Sequence, residues 1–176
     1  LQTLNKRMTA TSATADAVAA YLEAHPAVNR VMYPTLPSHP TYSLAQQYLT
    51  RGGPGCIWFH VGAAKKVVMS ILAHGGGGPE CKTSFGASSA RVDPWPQQRP
   101  SNAWEWPRSE NQGLEGTWLR LAVGYAEPLG ETKAALDVLL AQLFPANTTV
   151  LSQPKPMKEA ALPQQEAAPG LRWKRR

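Results

Sequence analysis

Arg120 is the most informative chemical group in this sequence. It stands in Trp118-Leu119-Arg120-Leu121-Ala122-Val123, between apolar neighbours. A guanidinium offers parallel N–H donors that match the two oxygens of a planar carboxylate. Strand alternation puts Leu119, Leu121 and Val123 on one face and Trp118, Arg120 and Ala122 on the other. Arg120 is therefore either on a solvated sheet face or paired with an anion, and the local sequence alone leans towards the solvated face. Ser84 is the second candidate. It lies in the polar, glycine-ended turn Thr83-Ser84-Phe85-Gly86, which also reads simply as a loop-to-strand junction.

Other chemistries find little support. Gly76-Gly77-Gly78-Pro79-Glu80-Cys81-Lys82-Thr83 has the outline of a phosphate-cradling loop, but Cys81 occupies the position before the lysine where glycine is needed. The segment also follows a helix, whereas such a loop follows a strand. His25, His39, His60 and His74 show no pairing four residues apart and no cysteine at ligand spacing, so each reads as a structural or surface histidine. Two cysteines, Cys56 and Cys81, supply neither a disulfide framework nor a four-ligand zinc site.

These side chains need a scaffold, and the hydrophobic pattern supplies one. Residues 1–24 read as an amphipathic helix, with Leu1, Leu4, Met8, Ala15, Val18, Ala19 and Leu22 at spacings of three and four, stopped by Pro26. Val28–Tyr33 is a strand, and the proline-rich residues 34–40 form a rigid loop. A second helix covers 41–49, with Leu44 and Tyr48 on one face. Cys56–Val61 is a strand with apolar residues on both faces, as in a sheet interior. Residues 63–73 form a third helix with Val67, Val68, Ile71 and Leu72 as its stripe. The glycine run 75–78 and Pro79 break regular structure. Residues 87–115 read as a long irregular Pro/Trp-rich loop, functional or disordered. Thr117–Val123 is a strand, and Glu131–Leu143 a closing helix carrying Leu136, Leu139, Leu140 and Leu143. The fold class expected is α/β, a small sheet with helices packed on it.

The 176 residues suffice for one domain and a tail, and 43% hydrophobic against 17% charged residues excludes a wholly disordered or coiled-coil chain. No apolar run approaches the ~20 residues of a membrane span. The net charge is +6. Residues 145–176, which lack periodicity and read as a disordered basic tail, carry most of it through Lys155, Lys158, Arg172, Lys174, Arg175 and Arg176. The domain, residues 1–144, is close to neutral, so neither a nucleic-acid-binding face nor a membrane surface is expected. Without a charged-then-apolar leader, secretion has no support and the cytoplasm is the expected location. The chain starts at Leu1 within a helix, and the expectation is a piece of a longer protein.

Several segments together resemble one family. Leu1-Gln2-Thr3-Leu4 with Arg7-Met8, then Leu22-Glu23-Ala24-His25-Pro26-Ala27-Val28, are similar to the C-terminal half of the Cys/Met-metabolism pyridoxal-phosphate enzymes. These include cystathionine γ-synthase, cystathionine γ-lyase and O-acetylhomoserine sulfhydrylase. Tyr33-Pro34, Ser38-His39-Pro40, Gly52-Gly53, Ser84-Phe85-Gly86 and Leu119-Arg120-Leu121-Ala122-Val123-Gly124 continue the match in one order.

The resemblance implies the C-terminal, substrate-side domain of a fold-type-I pyridoxal-phosphate-dependent transferase. It implies pyridoxal 5'-phosphate as the cofactor, which acts as an electron sink for a carbanion at the substrate Cα. It implies an amino-acid substrate whose α-carboxylate is gripped by Arg120, with Ser84 beside that site, and a homo-oligomer once joined to an upstream cofactor-binding domain. The implied reaction is γ-replacement or elimination on an activated homoserine or on cystathionine. The departures matter equally. None of Lys6, Lys65, Lys66, Lys82 or Lys133 stands in the family's Schiff-base context, so no catalytic residue is assigned in this chain and the chain alone is expected to be inactive. Thr83 replaces an acidic residue that bears on β- against γ-chemistry, and Thr11 and Thr14 replace a histidine and an asparagine of the first helix. A non-catalytic fragment or assembly module that keeps the fold is the alternative.

Overall fold

A 21-residue helix, α1 (Leu4–Ala24), opens the chain. Pro26 ends it, and the backbone turns directly into β1 (Val28–Met32). The order continues with α2 (Tyr42–Tyr48), β2 (Cys56–Val61), α3 (Lys65–His74), β3 (Glu80–Cys81), β4 (Arg91–Asp93), β5 (Thr117–Ala122) and α4 (Leu129–Leu143). The computed structural model describes residues 3–93 and 115–145. The tail 146–176 and most of the 87–115 loop, residues 94–114, lie outside the described residues.

The strands form one five-stranded mixed sheet in the order β1-β2-β5-β4-β3. β1–β2, β2–β5 and β5–β4 pair antiparallel, and β4–β3 pair parallel. The expected α/β architecture is what forms. β2 lies between two strands, as its apolar residues on both faces require.

Alternation divides the sheet into two unlike faces. One face carries Ile57, Phe59, Val61, Val92, Leu119 and Leu121. It joins a single core with Ala15, Val18, Ala19 and Leu22 of α1, Val68 and Leu72 of α3, and Leu136, Leu139, Leu140 and Leu143 of α4. Each fully buried Val, Leu, Ile or Phe side chain among them contributes on the order of 1.5–3 kcal/mol. The other face, fixed by register, carries Met32, Trp58, Arg120 and Asp93 in one cross-strand row. Arg30, His60 and Trp118 form the row beside it.

The helix stripes read from the sequence are buried only in part. Leu4 and Met8 of α1 and Val67 of α3 are exposed. Leu44 and Tyr48 share a face of α2, but that face is open: they are 51% and 75% exposed, and Ala45 is the buried residue of this short helix. α3 stops at Gly75, whose φ of +66° is the left-handed cap that glycine adopts without strain.

Regular structure also extends where the sequence offered none. β3 follows the glycine run, and β4 lies inside the segment expected to be irregular. Both are too short, at two and three residues, to show a period. They exist because β5 offers β4 an open edge, and β4 then offers one to β3.

Candidate functional site

β5 is buried along its whole length, and Arg120 at its centre is 2% exposed. The solvated-face reading of Arg120 is therefore corrected: strands on both sides of β5 put the arginine in the interior of the sheet. A buried guanidinium must be compensated, and its sequence neighbours could not do it. The compensation comes from β4. Asp93, directly opposite Arg120 in the β4–β5 register, places Oδ2 3.2 Å from Arg120 Nη2 and is itself 3% exposed.

Three further contacts fix the pair. The Thr83 hydroxyl donates to Asp93 Oδ2 at 2.8 Å. The Phe85 ring lies over the guanidinium, its centroid 4.2 Å from Cζ, and the Trp58 ring lies 5.9 Å away. Phe85 is 74% exposed, so its other side is open to whatever approaches. The Thr83–Gly86 turn thus touches Arg120 through Phe85 and Asp93 through Thr83. Ser84 stands between these two residues, half-buried, and its hydroxyl accepts the Gly86 N–H at 3.2 Å. Ser84 belongs to the turn whose Thr83 and Phe85 touch the Asp93–Arg120 pair.

The sequence alone assigns no role to Asp93, Trp58 or Phe85, although Phe85 stands in the Ser84-Phe85-Gly86 motif. Arg91-Val92-Asp93 carries no motif, and only strand pairing brings its carboxylate to Arg120. The half-buried Cys56 thiol on β2 is pushed up by burial, while the positive charge of Arg120 pulls the other way.

The described lysines do not fit a cofactor-binding role. Such a lysine must be desolvated and close to the substrate site. Lys6, Lys65 and Lys66 are exposed on helices, and Lys82 is exposed and paired with Glu80. Lys133 stands over the Tyr21 ring at 5.0 Å, where α4 meets α1. The buried guanidinium has carboxylate-binding chemistry, which Asp93 meets within the chain, and none of the described lysines is both buried and placed beside it. No group of three or more metal-ligating side chains occurs among the described residues, and no helix among them is long and apolar enough to cross a membrane.

A mixed sheet with helices on one face and a buried Arg–Asp pair on the other is an α/β fold. A sequence model of the Cys/Met metabolism PLP-dependent enzymes matches residues 1–138, and the chain belongs to that family. The family's cofactor is pyridoxal phosphate. Cystathionine gamma-lyase of Sus scrofa is 31% identical over 159 residues, covering 85% of this chain and 36% of that protein. Cystathionine gamma-synthase 1, chloroplastic, of Arabidopsis thaliana is 33% identical over 147 residues, covering 80% and 24%. The crystal structure of cystathionine gamma-lyase from Lactobacillus plantarum, complexed with L-serine, superposes with a TM-score of 0.58 at 25% identity, covering 80% of this chain and 36% of that one. The chain spans about a third of the length of these lyases and about a quarter of the synthase.

Proposed function

We propose that residues 1–144 are the C-terminal, substrate-side domain of a pyridoxal-phosphate-dependent enzyme of sulfur amino-acid metabolism. Arg120 receives the substrate α-carboxylate, and Ser84 lines the same site. The cofactor and its Schiff-base lysine belong to an upstream domain, so the chain alone is inactive. The whole protein acts by γ-replacement or elimination on cystathionine or an activated homoserine and assembles as a homo-oligomer. The compartment is the cytoplasm.

The observation that carries this reading is the burial of Arg120 in the Leu119–Gly124 segment of a chain of this family. A buried planar fork recognises a carboxylate by two parallel hydrogen bonds. Holding that carboxylate orients the Cα–H bond for proton removal. The related lyase solved with L-serine, an α-amino acid, supports an amino acid as the ligand.

The test is a titration of the full-length protein with L-serine and L-cystathionine, and separately with pyridoxal phosphate. Arg120→Ala should weaken amino-acid binding by roughly 30-fold or more, because a charged partner of the carboxylate is lost. Cofactor binding should hold. Arg120→Lys, which keeps the charge and removes the fork, should fall between. Equal loss of both ligands would reject the clamp. A second reading, a non-catalytic module that keeps the fold, is favoured by the exposed lysines. It requires that no lysine in the preceding sequence lie in a Schiff-base context.

A further inference from the structure

The carboxylate nearest Arg120 belongs to the protein, and its geometry is that of a guide. Asp93 Oδ2 meets Arg120 Nη2 at 3.2 Å. The same Oδ2 accepts the Thr83 hydroxyl at 2.8 Å. Thr83 and Asp93 lie on opposite sides of the β3–β4 pairing, so the carboxylate is held from both its strand and the adjoining turn. Phe85 covers a face of the guanidinium. The edge contact from Asp93 and the ring contacts from Phe85 and Trp58 restrain the plane and rotation of the guanidinium.

We propose that Asp93 is a positioning residue for the amino-acid site: by pinning Nη2 it sets which guanidinium edge of Arg120 meets the substrate carboxylate. Thr83 holds Asp93 in that role. The proposal rests on the reading of Arg120 as the carboxylate clamp. It assigns to Thr83 a function through Asp93 rather than direct contact with substrate.

Two measurements test it. The first is arginine side-chain ¹⁵N NMR of the 176-residue chain. In the wild type the two Nη groups of Arg120 should give separate signals, and in Asp93→Ala the signals should merge. This readout shows that Asp93 holds the guanidinium, and the L-serine titration separates positioning from a purely structural ion pair. The second is L-serine binding to the full-length protein. Asp93→Ala should weaken it about tenfold, the loss expected when a hydrogen bond to a charged group disappears. Asp93→Asn, which keeps an acceptor oxygen, should recover most of that loss. Thr83→Val should show a smaller loss in the same direction.

Unchanged or tighter L-serine binding in Asp93→Ala, with Arg120→Ala still weakened, would overturn the proposal, since Asp93 would then compete with the substrate. Merged Nη signals in the wild type would overturn it as well. If Arg120→Ala itself left L-serine binding unchanged, the clamp reading would fail and this proposal with it, a result recognisable from that variant alone. Should Asp93→Ala not fold, Thr83→Val decides. It removes one hydroxyl from an exposed residue, and wild-type affinity there would overturn the proposal.

Discussion

Arg120 and Asp93 face each other across the β4–β5 register, 3.2 Å apart, both removed from solvent. Two opposite charges in a low-dielectric interior stabilise each other, but desolvating both offsets much of the gain. The pair is therefore dispensable as a pair and costly to break.

Replacing Arg120 by alanine strands the Asp93 carboxylate in the sheet and should cost about 3–5 kcal/mol in urea unfolding. The double change Arg120→Met with Asp93→Leu should cost less than either single change, because neither charge is then left buried alone. Additive losses would show that the two residues are not coupled.

The pH dependence of stability should have a component from His60, which is 1% exposed on β2. Its pKa is pushed down from 6.5 to about 4, first by burial and then by the charge of Arg30. Asn29 Nδ2 lies 3.3 Å from His60 Nδ1, and an amide nitrogen only donates, so Nδ1 accepts and the ring is neutral. The unfolded chain takes up a proton below pH 6.5, whereas the fold does not until about pH 4. The stabilisation is thus complete above pH 6.5 and is lost as pH falls towards 4. His60→Gln should flatten that part of the curve of unfolding free energy against pH.

The glycine after β5 has a steric reason. A Cβ on Gly124 would stand 2.6 Å from the Ser88 carbonyl oxygen and from the Ser89 carbonyl carbon, both backbone atoms that cannot rotate away. This close approach accompanies the bonds from Tyr125 N to Ala87 O and from Ala126 N to Ser88 O, each 3.0 Å. Gly124→Ala should therefore cost about 1–3 kcal/mol in chemical denaturation. It should also displace the segment leading into β4, and with it Asp93.

Phe85 and Phe59 should respond very differently to truncation. Phe85→Ala removes an exposed ring whose stabilising contact is the stack on Arg120, and should cost no more than about 1 kcal/mol. Phe59→Ala opens the core between the sheet and its helices, and should cost about 3–5 kcal/mol. Comparable losses would mean that Phe85 is part of the packed interior.

Periodicity alone was sufficient to place the long elements. α1, β1, α2, β2, α3, β5 and α4 form within a few residues of their expected bounds, because each carries its own period or its own stop, such as Pro26 or Gly75. The order of motifs around Arg120 was enough to indicate the family. Burial was legible for α4, whose Leu136, Leu139, Leu140 and Leu143 all reach the core, and illegible for α2, whose Leu44 and Tyr48 stay outside. A stripe shows that a helix has an apolar face; whether another element covers that face depends on the rest of the chain.

The environment of Arg120 belongs to the tertiary structure. Residues 91–93 are too few to show alternation, and their extended form follows from the edge that β5 presents to them. That pairing carries Asp93 over 27 positions of sequence to Arg120, and it turns an arginine that looked solvated into a buried one. Local sequence fixes which way a side chain alternates along its own strand. Which strand comes to lie beside it, and hence what charge meets it, is decided by long-range backbone pairing, which leaves no mark on a three-residue segment.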